Sequence, residues 1–265
     1  MTKYEAGADA LNSLNSGGEG EGNNAEFAKF NAGTSYTVKV LGTTDLIKFY
    51  SYGIFKQVNS FVAKNPSKKT DRGFPIDNLT SWDKAMKYHA DKSEKFGDDD
   101  SQESYKYRAK ERYAMGFLDV NTGEPIIIDV SKPQAQELHG TITEEKGKLE
   151  QLTFKLSKSG AGTATKVSLK KYVDVAMVDK LIAAEIEVDE NLTEEQRKYF
   201  DEAPKEFDMT LFEGLLYEMD DEEMLEKLVQ AGFDVSLIGL DKPENTEQPT
   251  EDNEGINVDE SELPF

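Results

Sequence analysis

The chain has 265 residues, of which 37% are hydrophobic and 10% aromatic, and its 52 acidic against 31 basic side chains give a net charge of −21. With no cysteine, disulfides and cysteine-based zinc sites are excluded, and no apolar run approaches the ~18–20 residues of a membrane span. Taken whole, the charge argues against a nucleic-acid partner, because phosphates would be repelled.

The distribution of that charge argues the other way. Residues 1–25 hold 1 basic and 4 acidic side chains, residues 26–172 hold 24 and 19, and residues 173–265 hold 6 and 29. A mildly basic body carries a strongly acidic final third, an asymmetry typical of nucleic-acid and interaction proteins. The N-terminus has neither the basic start nor the apolar stretch of a signal peptide, so the expected compartment is the cytoplasm.

Residues 1–25, rich in Gly, Asn, Ser and Glu, are predicted to be a flexible leader. Ala8, Leu11 and Leu14 are their apolar cluster, able to form a helical turn against a neighbouring molecule. In "TSYTVKVL", Tyr36, Val38 and Val40 alternate with Thr37 and Lys39, the period of a half-buried strand. "LIKFYSYGIFKQVNSFVA" continues as one long or bent strand with Gly53 at a bulge or corner. Residues 64–104 then interrupt the sheet as an insert: "NPSKKTDRGFP" reads as loop, "SWDKAMKYHADKSEKF" as a helix, and "GDDDSQES" as loop again.

The sheet resumes with "RYAMGFLDV" and "PIIIDV", joined at "NTG" as a hairpin. "KPQAQELHGTI" is predicted to be a short helix, and "LTFKLSKSGAGTATKVSLKKY" a hairpin with a glycine-rich tip at residues 159–163. These elements suit a mainly β core over residues 26–172, a small OB-like barrel or curled sheet of five or so strands. Residues 173–240 read as an acidic helical region. Val175, Val178, Leu181 and Ile182 form one stripe, "TEEQ" from Thr193 to Gln196 a capping box, and Phe212, Leu215, Leu216 and Met219 a second stripe. Leu225, Leu228 and Val229 make a third before Gly232 stops the helix. Residues 241–265 are predicted to be a disordered acidic tail.

Three stretches carry chemistry. "YKYRAKERY" (105–113) combines Tyr105, Tyr107 and Tyr113 with Lys106, Arg108, Lys110 and Arg112. Binding unpaired nucleic acid requires cations for phosphates and flat rings for bases, each stacked base being worth roughly 1–3 kcal/mol. An extended chain would put the tyrosines on one side and the cations on the other, so a twisted or looped approach to a strand beginning near Tyr113 is expected. The competing reading is an edge strand whose solvated basic face discourages pairing with other chains. The second stretch, "KFYSYGIFK", sets Phe49, Tyr50, Tyr52 and Phe55 between Lys48 and Lys56, with half of its rings assigned to the core. The third is the hairpin bearing Lys155, Lys158, Lys166, Lys170 and Lys171, placed to clamp a phosphate backbone.

Other chemistries fit less well. "SGAGTATK" lacks the spacing and the Gly-Lys-Ser/Thr ending of a phosphate loop. His89 and His139 are far apart and read as structural or surface residues, and "DDD" at 98–100 as a solvated turn rather than a cation site. With no activated nucleophile in view, the chain is expected to be neither an enzyme nor a holder of metal or cofactor.

The order of "NAGTSYTVKVLG", an insert, "YKYRAKERYAMGFLDV", "PIIIDVSKPQAQELHGTI" and "FKLSKSGAGTATKVSL" resembles the core of the single-stranded DNA-binding proteins of tailed bacteriophages, a group that includes the helix-destabilising protein of the T-even phages. The resemblance covers about residues 26–172. It implies an OB fold with a basic cleft lined by the segment before the central strand, where Arg108, Lys110, Arg112 and Tyr113 match by position. The T-even protein holds zinc in its insert through cysteines and a histidine. This chain has no cysteine, so Phe74, Trp82, Met86 and Phe96 are the candidates to pack the insert instead.

The ending "DESELPF" resembles the acidic tip of bacterial single-stranded DNA-binding proteins. Phe265 and its carboxylate would fill a partner's apolar, basic pocket beside Leu263 and Pro264, while Asp259, Glu260 and Glu262 steer the approach. The resulting expectation is a protein that coats single-stranded DNA in the cytoplasm of an infected bacterium and self-associates along it. It would recruit a polymerase, helicase or primase during replication, recombination or repair. The alternative is an acidic DNA mimic that binds a host DNA-processing enzyme.

Overall fold

The computed structural model describes residues 26–161, 164–172 and 192–243. Its spine is β6 (Lys110–Asp119), the longest strand. Along one edge β6 pairs with β7 (Pro125–Ser131). Along the other it pairs first with β2 (Leu46–Ile54) and then, at its end, with β1 (Ser35–Lys39). From β1 the sheet continues to β8 (Thr153–Ser159) and β9 (Lys166–Lys171). From β2 it continues to β3 (Val58–Ala63) and the two-residue β10 (Glu218–Met219), which runs parallel to β3. The result is an eight-stranded mixed sheet with helices against it. The 26–34 segment leans on β7 through the Ala28 N–H to the Ile127 carbonyl (2.8 Å), then turns at Asn31–Thr34 into β1.

Both faces of β6 are buried, which accounts for the near-continuous apolar run "YAMGFLDV". Met115 and Phe117 face a core with Val38, Val40, Ile128, Val130, Phe154, Leu156, Val167 and Leu169, covered by Leu138 and Ile142 of α3 (Lys132–Glu144). Ala114, on the other face, meets Phe207, Phe212 and Leu215 of the C-terminal segment. Gly116 makes that approach possible, because a β-carbon there would lie 2.3 Å from the Phe207 ring.

The insert forms α1 (Ser81–Lys92), α2 (Asp99–Tyr107) and a miniature hairpin of β4 (Lys68–Lys69) and β5 (Pro75–Asp77). Trp82, Ala85, Met86 and Tyr107 bury themselves against Tyr52 and Phe61 of the β2–β3 hairpin. From the other side come Met224 and Leu228 of α5 (Asp221–Gln230), with Phe233 and Val235 beyond it. The Trp82 indole donates to the Met224 carbonyl at 2.9 Å, tying the insert to the acidic third. A further helix, α4 (Glu194–Asp201), opens with the capping box predicted at Thr193 and Gln196, and its Phe200 packs with Val120 and Leu192.

Five expectations are corrected. "NPSKKTDRGFP", read as loop, holds β4 and the first residue of β5. The stretch read as one long strand is the β2–β3 hairpin: Lys56 takes a left-handed φ of 61° and the Gln57 N–H returns to the Ile54 carbonyl at 2.9 Å. Gly53 does mark a bulge, with the register shifting between Tyr52 and Ile54. "GDDDSQES" is not loop but the start of α2, capped by Asp98, whose carboxylate accepts from the Ser101, Glu94 and Lys95 N–H groups. The second hydrophobic stripe of the acidic third is no α-helix. Met209–Phe212 form a 3₁₀ turn, Gly214 takes a φ of 75°, and the chain then extends into β10. Finally, Phe74 and Phe96 are 47% and 102% exposed and do not pack the insert, whereas Trp82 and Met86 do. The stripe from Val175 to Ile182, the Ala8–Leu14 cluster, residues 244–265 and two residues of the hairpin tip lie outside the described residues. Among the described residues no helix is long and apolar enough to cross a membrane.

Candidate nucleic-acid interface

Strand periodicity divides the predicted site residues between two faces. On β2, Lys48, Tyr50 and Tyr52 share a face, and the register sets Lys48 opposite Tyr113 and Tyr50 opposite Glu111. Phe49 and Ser51, opposite Arg112 and Lys110, share the reverse face. The first face crosses both main cores. Leu46 and Tyr113 pack against the β6–α3 core, and Tyr52 belongs to the insert core. Between them runs a strip made of Lys48, Tyr50 and Glu111.

The insert and α3 furnish the walls of this strip. The Lys48 and Lys69 ammoniums lie 5.6 and 5.5 Å from the Tyr50 ring centre, within cation–π range. The next wall residue is Gly73, where a β-carbon would stand 3.4 Å from the Tyr50 ring. Arg108, at the α2–β6 junction, places its guanidinium 4.6 Å from the exposed Phe74 ring and donates to the Arg72 carbonyl at 3.2 Å. On the other side Lys132, at the start of α3, pairs with Glu111 at 3.2 Å.

Two polar networks hold these groups. Tyr113 donates to Glu111 at 2.7 Å. Burial would raise the Glu111 pKa, but the Tyr113 hydroxyl, Lys132 and Lys48 hold the carboxyl below the usual range. Burial and the hydrogen bond to Glu111 in turn push the Tyr113 hydroxyl up to about 12. Beneath Tyr50, Lys69 pairs with Asp83 at 3.2 Å, with side chains only 5% and 0% exposed. The Ser67 hydroxyl donates to the other Asp83 oxygen. A buried charge pair of this kind is costly to break, so Lys69 is fixed over Tyr50. Sequence reading passed over Lys69, Arg72, Glu111 and Lys132. For Lys69 and Arg72 the basic cluster in "SKKTDR" is the available signal, in a stretch read as loop.

The reverse face carries a second concavity of about 360 Å³, lined by Lys110, Arg112, Ser51, Phe55 and Lys56. Here the Lys110 ammonium stands 5.4 Å from the Tyr105 ring. Arg112 is committed to a two-pronged pair with Asp129, both contacts at 2.8 Å. The surrounding chain and the charge of Arg112 push the ammoniums of Lys110 and Lys158 below the usual lysine value.

Of the remaining predicted residues, Tyr52 and Tyr107 are core side chains, 2% and 5% exposed, and neither presents a ring to a ligand. Tyr107 ends α2 rather than lying in a strand, which breaks the alternation expected of "YKYRAKERY". Lys106 pairs with Glu103 on the same helix. Lys155 lies directly opposite Lys170 on the β8–β9 hairpin, on the face away from the core, and Lys166 opposite Ser159. These lysines are not brought into the strip. His89 pairs with Asp100 at 2.7 Å and stacks on Tyr107, while His139 meets the Thr43 carbonyl at 3.1 Å. The tip residues Asp259 to Phe265 lie outside the described residues.

Comparison of the chain with protein-family models, with curated protein sequences and with solved structures gives no match.

Proposed function

We propose that the protein binds single-stranded DNA along the strip between its two main cores, without strong sequence preference. The observation that carries the reading is Tyr50, a half-buried ring with the exposed Lys48 ammonium and the buried Lys69 ammonium both within 5.6 Å of its centre. Beside it stand a guanidinium stacked on an exposed phenylalanine and a lysine at the mouth of α3. Phosphates need the cations and unpaired bases need the rings, and Glu111, already shared by Tyr113 and Lys132, presents little free negative charge to a phosphate. The curled sheet is read as OB-type, with β6 as its central strand and the insert as one wall of the groove. Lys110, Arg112, Tyr105 and Lys56 form a second basic surface over which a longer strand continues.

In this reading the function belongs to phage DNA replication, recombination or repair. The acidic ending recruits a polymerase, helicase or primase through Leu263, Pro264 and Phe265. The test is binding of a labelled oligo-dT by the full chain, with Lys48→Ala and Lys132→Ala as variants. Weaker binding with a shallower salt dependence supports the reading. Wild-type-like binding and slope in both would remove the strip from consideration, and no binding at any salt would leave the acidic DNA mimic as the better account.

A further inference from the structure

The strip does not end at Tyr113. Its three tracks continue in step: on β2 from Tyr50 through Lys48 to Leu46, on β6 from Glu111 through Tyr113 to Met115, and on α3 from Lys132 one turn on to Gln136. Where they meet lies an open notch of about 210 Å³, walled by Leu46, Tyr113, Met115, Ala135, Gln136 and His139. Pockets that enclose drug-sized ligands run to roughly 300–1,000 Å³, so this one suits a single flat ring system. Its deep walls are apolar, with Met115 and Ala135 buried. Its rim is polar: the exposed Gln136 carboxamide offers both donors and an acceptor, and His139 is held in place by the Thr43 carbonyl. The Tyr113 hydroxyl is turned to Glu111 at 2.7 Å, which leaves its ring as the aromatic wall. Lys48 and Lys132, the two lysines nearest the notch along β2 and α3, are both exposed.

We infer that this notch is a nucleobase subsite: one base of the bound strand leaves the stack and inserts beside Tyr113, while the flanking phosphates rest on Lys48 and Lys132. The inference depends on the single-strand reading above and adds to it a defined position for one base. Stacking on the Tyr113 ring in an apolar slot discriminates weakly among bases, since each has a π-face, which agrees with binding of little sequence preference.

The experiment uses the full chain and a short oligo-dT with one thymine replaced by 5-iodouracil, cross-linked by light and mapped by mass spectrometry. It is paired with affinity measurements on Gln136→Trp, an exposed rim position whose larger ring fills the notch without replacing a buried side chain. The subsite predicts cross-links at Tyr113, Met115 or His139. It also predicts about tenfold weaker binding by the variant, the loss of one stacked base, at an unchanged salt slope because no phosphate contact is removed. Salt-dependent binding with cross-links elsewhere and a variant as tight as wild type would overturn the subsite and leave the strip standing. Absence of salt-dependent binding by the wild type would overturn both.

Discussion

Tyr50 and Tyr107 look alike in sequence, each a tyrosine beside cations, yet they do opposite work. Tyr107 packs edge-on against Trp82 and Phe233 with ring centres 5.8 and 5.3 Å apart, whereas Tyr50 sits half-buried under two ammoniums. Tyr107→Ala should therefore lower the unfolding free energy by about 3–5 kcal/mol, the usual cost of deleting a buried aromatic, as read by denaturant titration. Tyr50→Ala, at a ring only partly buried against the same core, should cost less stability than Tyr107→Ala and weaken oligo-dT binding by about ten- to a hundredfold, the loss of one stacked base. Asp83 offers a different test. Asp83→Ala strands the Lys69 ammonium in a site where its side chain is 5% exposed. Removal of one partner from a buried pair costs about 3–5 kcal/mol, and addition of Lys69→Met to the same chain should restore part of that stability without restoring DNA binding.

At the scale of elements, what was legible followed local chemistry. The alternation of Tyr36, Val38 and Val40 marked β1, the Thr193–Gln196 box marked α4, and Gly232 ended α5 as read. The failures have physical causes. The β2–β3 turn has no Gly, Asn or Pro to announce it, because Lys56 itself takes the left-handed conformation. Phe212, Leu215, Leu216 and Met219 have helical spacing, but Gly214 breaks the chain there. Phe212 and Leu215 serve one core and Met219 another. "YKYRAKERY" straddles a helix end and a strand start, so neither period describes it. The candidate strip was legible in part, through Lys48, Tyr50, Arg108 and Tyr113, whereas Lys69 and Lys132 join them only through tertiary packing of an insert and a helix. The cap of α2 gives a pH test. Hydrogen bonds from the Lys95 and Ser101 N–H groups lower the Asp98 carboxyl from 3.8 to about 2. A depressed carboxylate contributes stability above its unfolded value that is lost as pH falls through the folded one. Asp98→Ala should flatten the part of the stability–pH curve between about 4 and 2, measured by thermal unfolding; an acid limb identical to wild type would contradict the cap's role.

For the whole molecule the question the proposal raises is how a chain of net charge −21 would hold a polyanion. The answer proposed is segregation: basic groups line the groove between two cores, and acids concentrate in the final third. The segment 192–243 is integral to the body, since Phe207 rests on Gly116 and Met224 receives the Trp82 indole, so it cannot be deleted without cost to folding. Residues 244–265, with 8 acids and no base, can be cut. Their deletion should tighten oligo-dT binding at low salt and much less at high salt, where exposed charges are screened, while abolishing recruitment of replication proteins. Unchanged affinity and unchanged recruitment would contradict this view of the ending.

The most direct measurement is a titration of labelled oligo-dT by anisotropy at several salt concentrations, for wild type and for Lys48→Ala/Lys132→Ala. Anisotropy is preferable to intrinsic emission because Trp82 is fully buried. The account predicts that log K falls linearly with log salt and that the double variant has a slope shallower by about 0.7 per lysine lost, the value for a phosphate contact on a single strand. An identical slope in the two proteins, or wild-type affinity indifferent to salt, would contradict it.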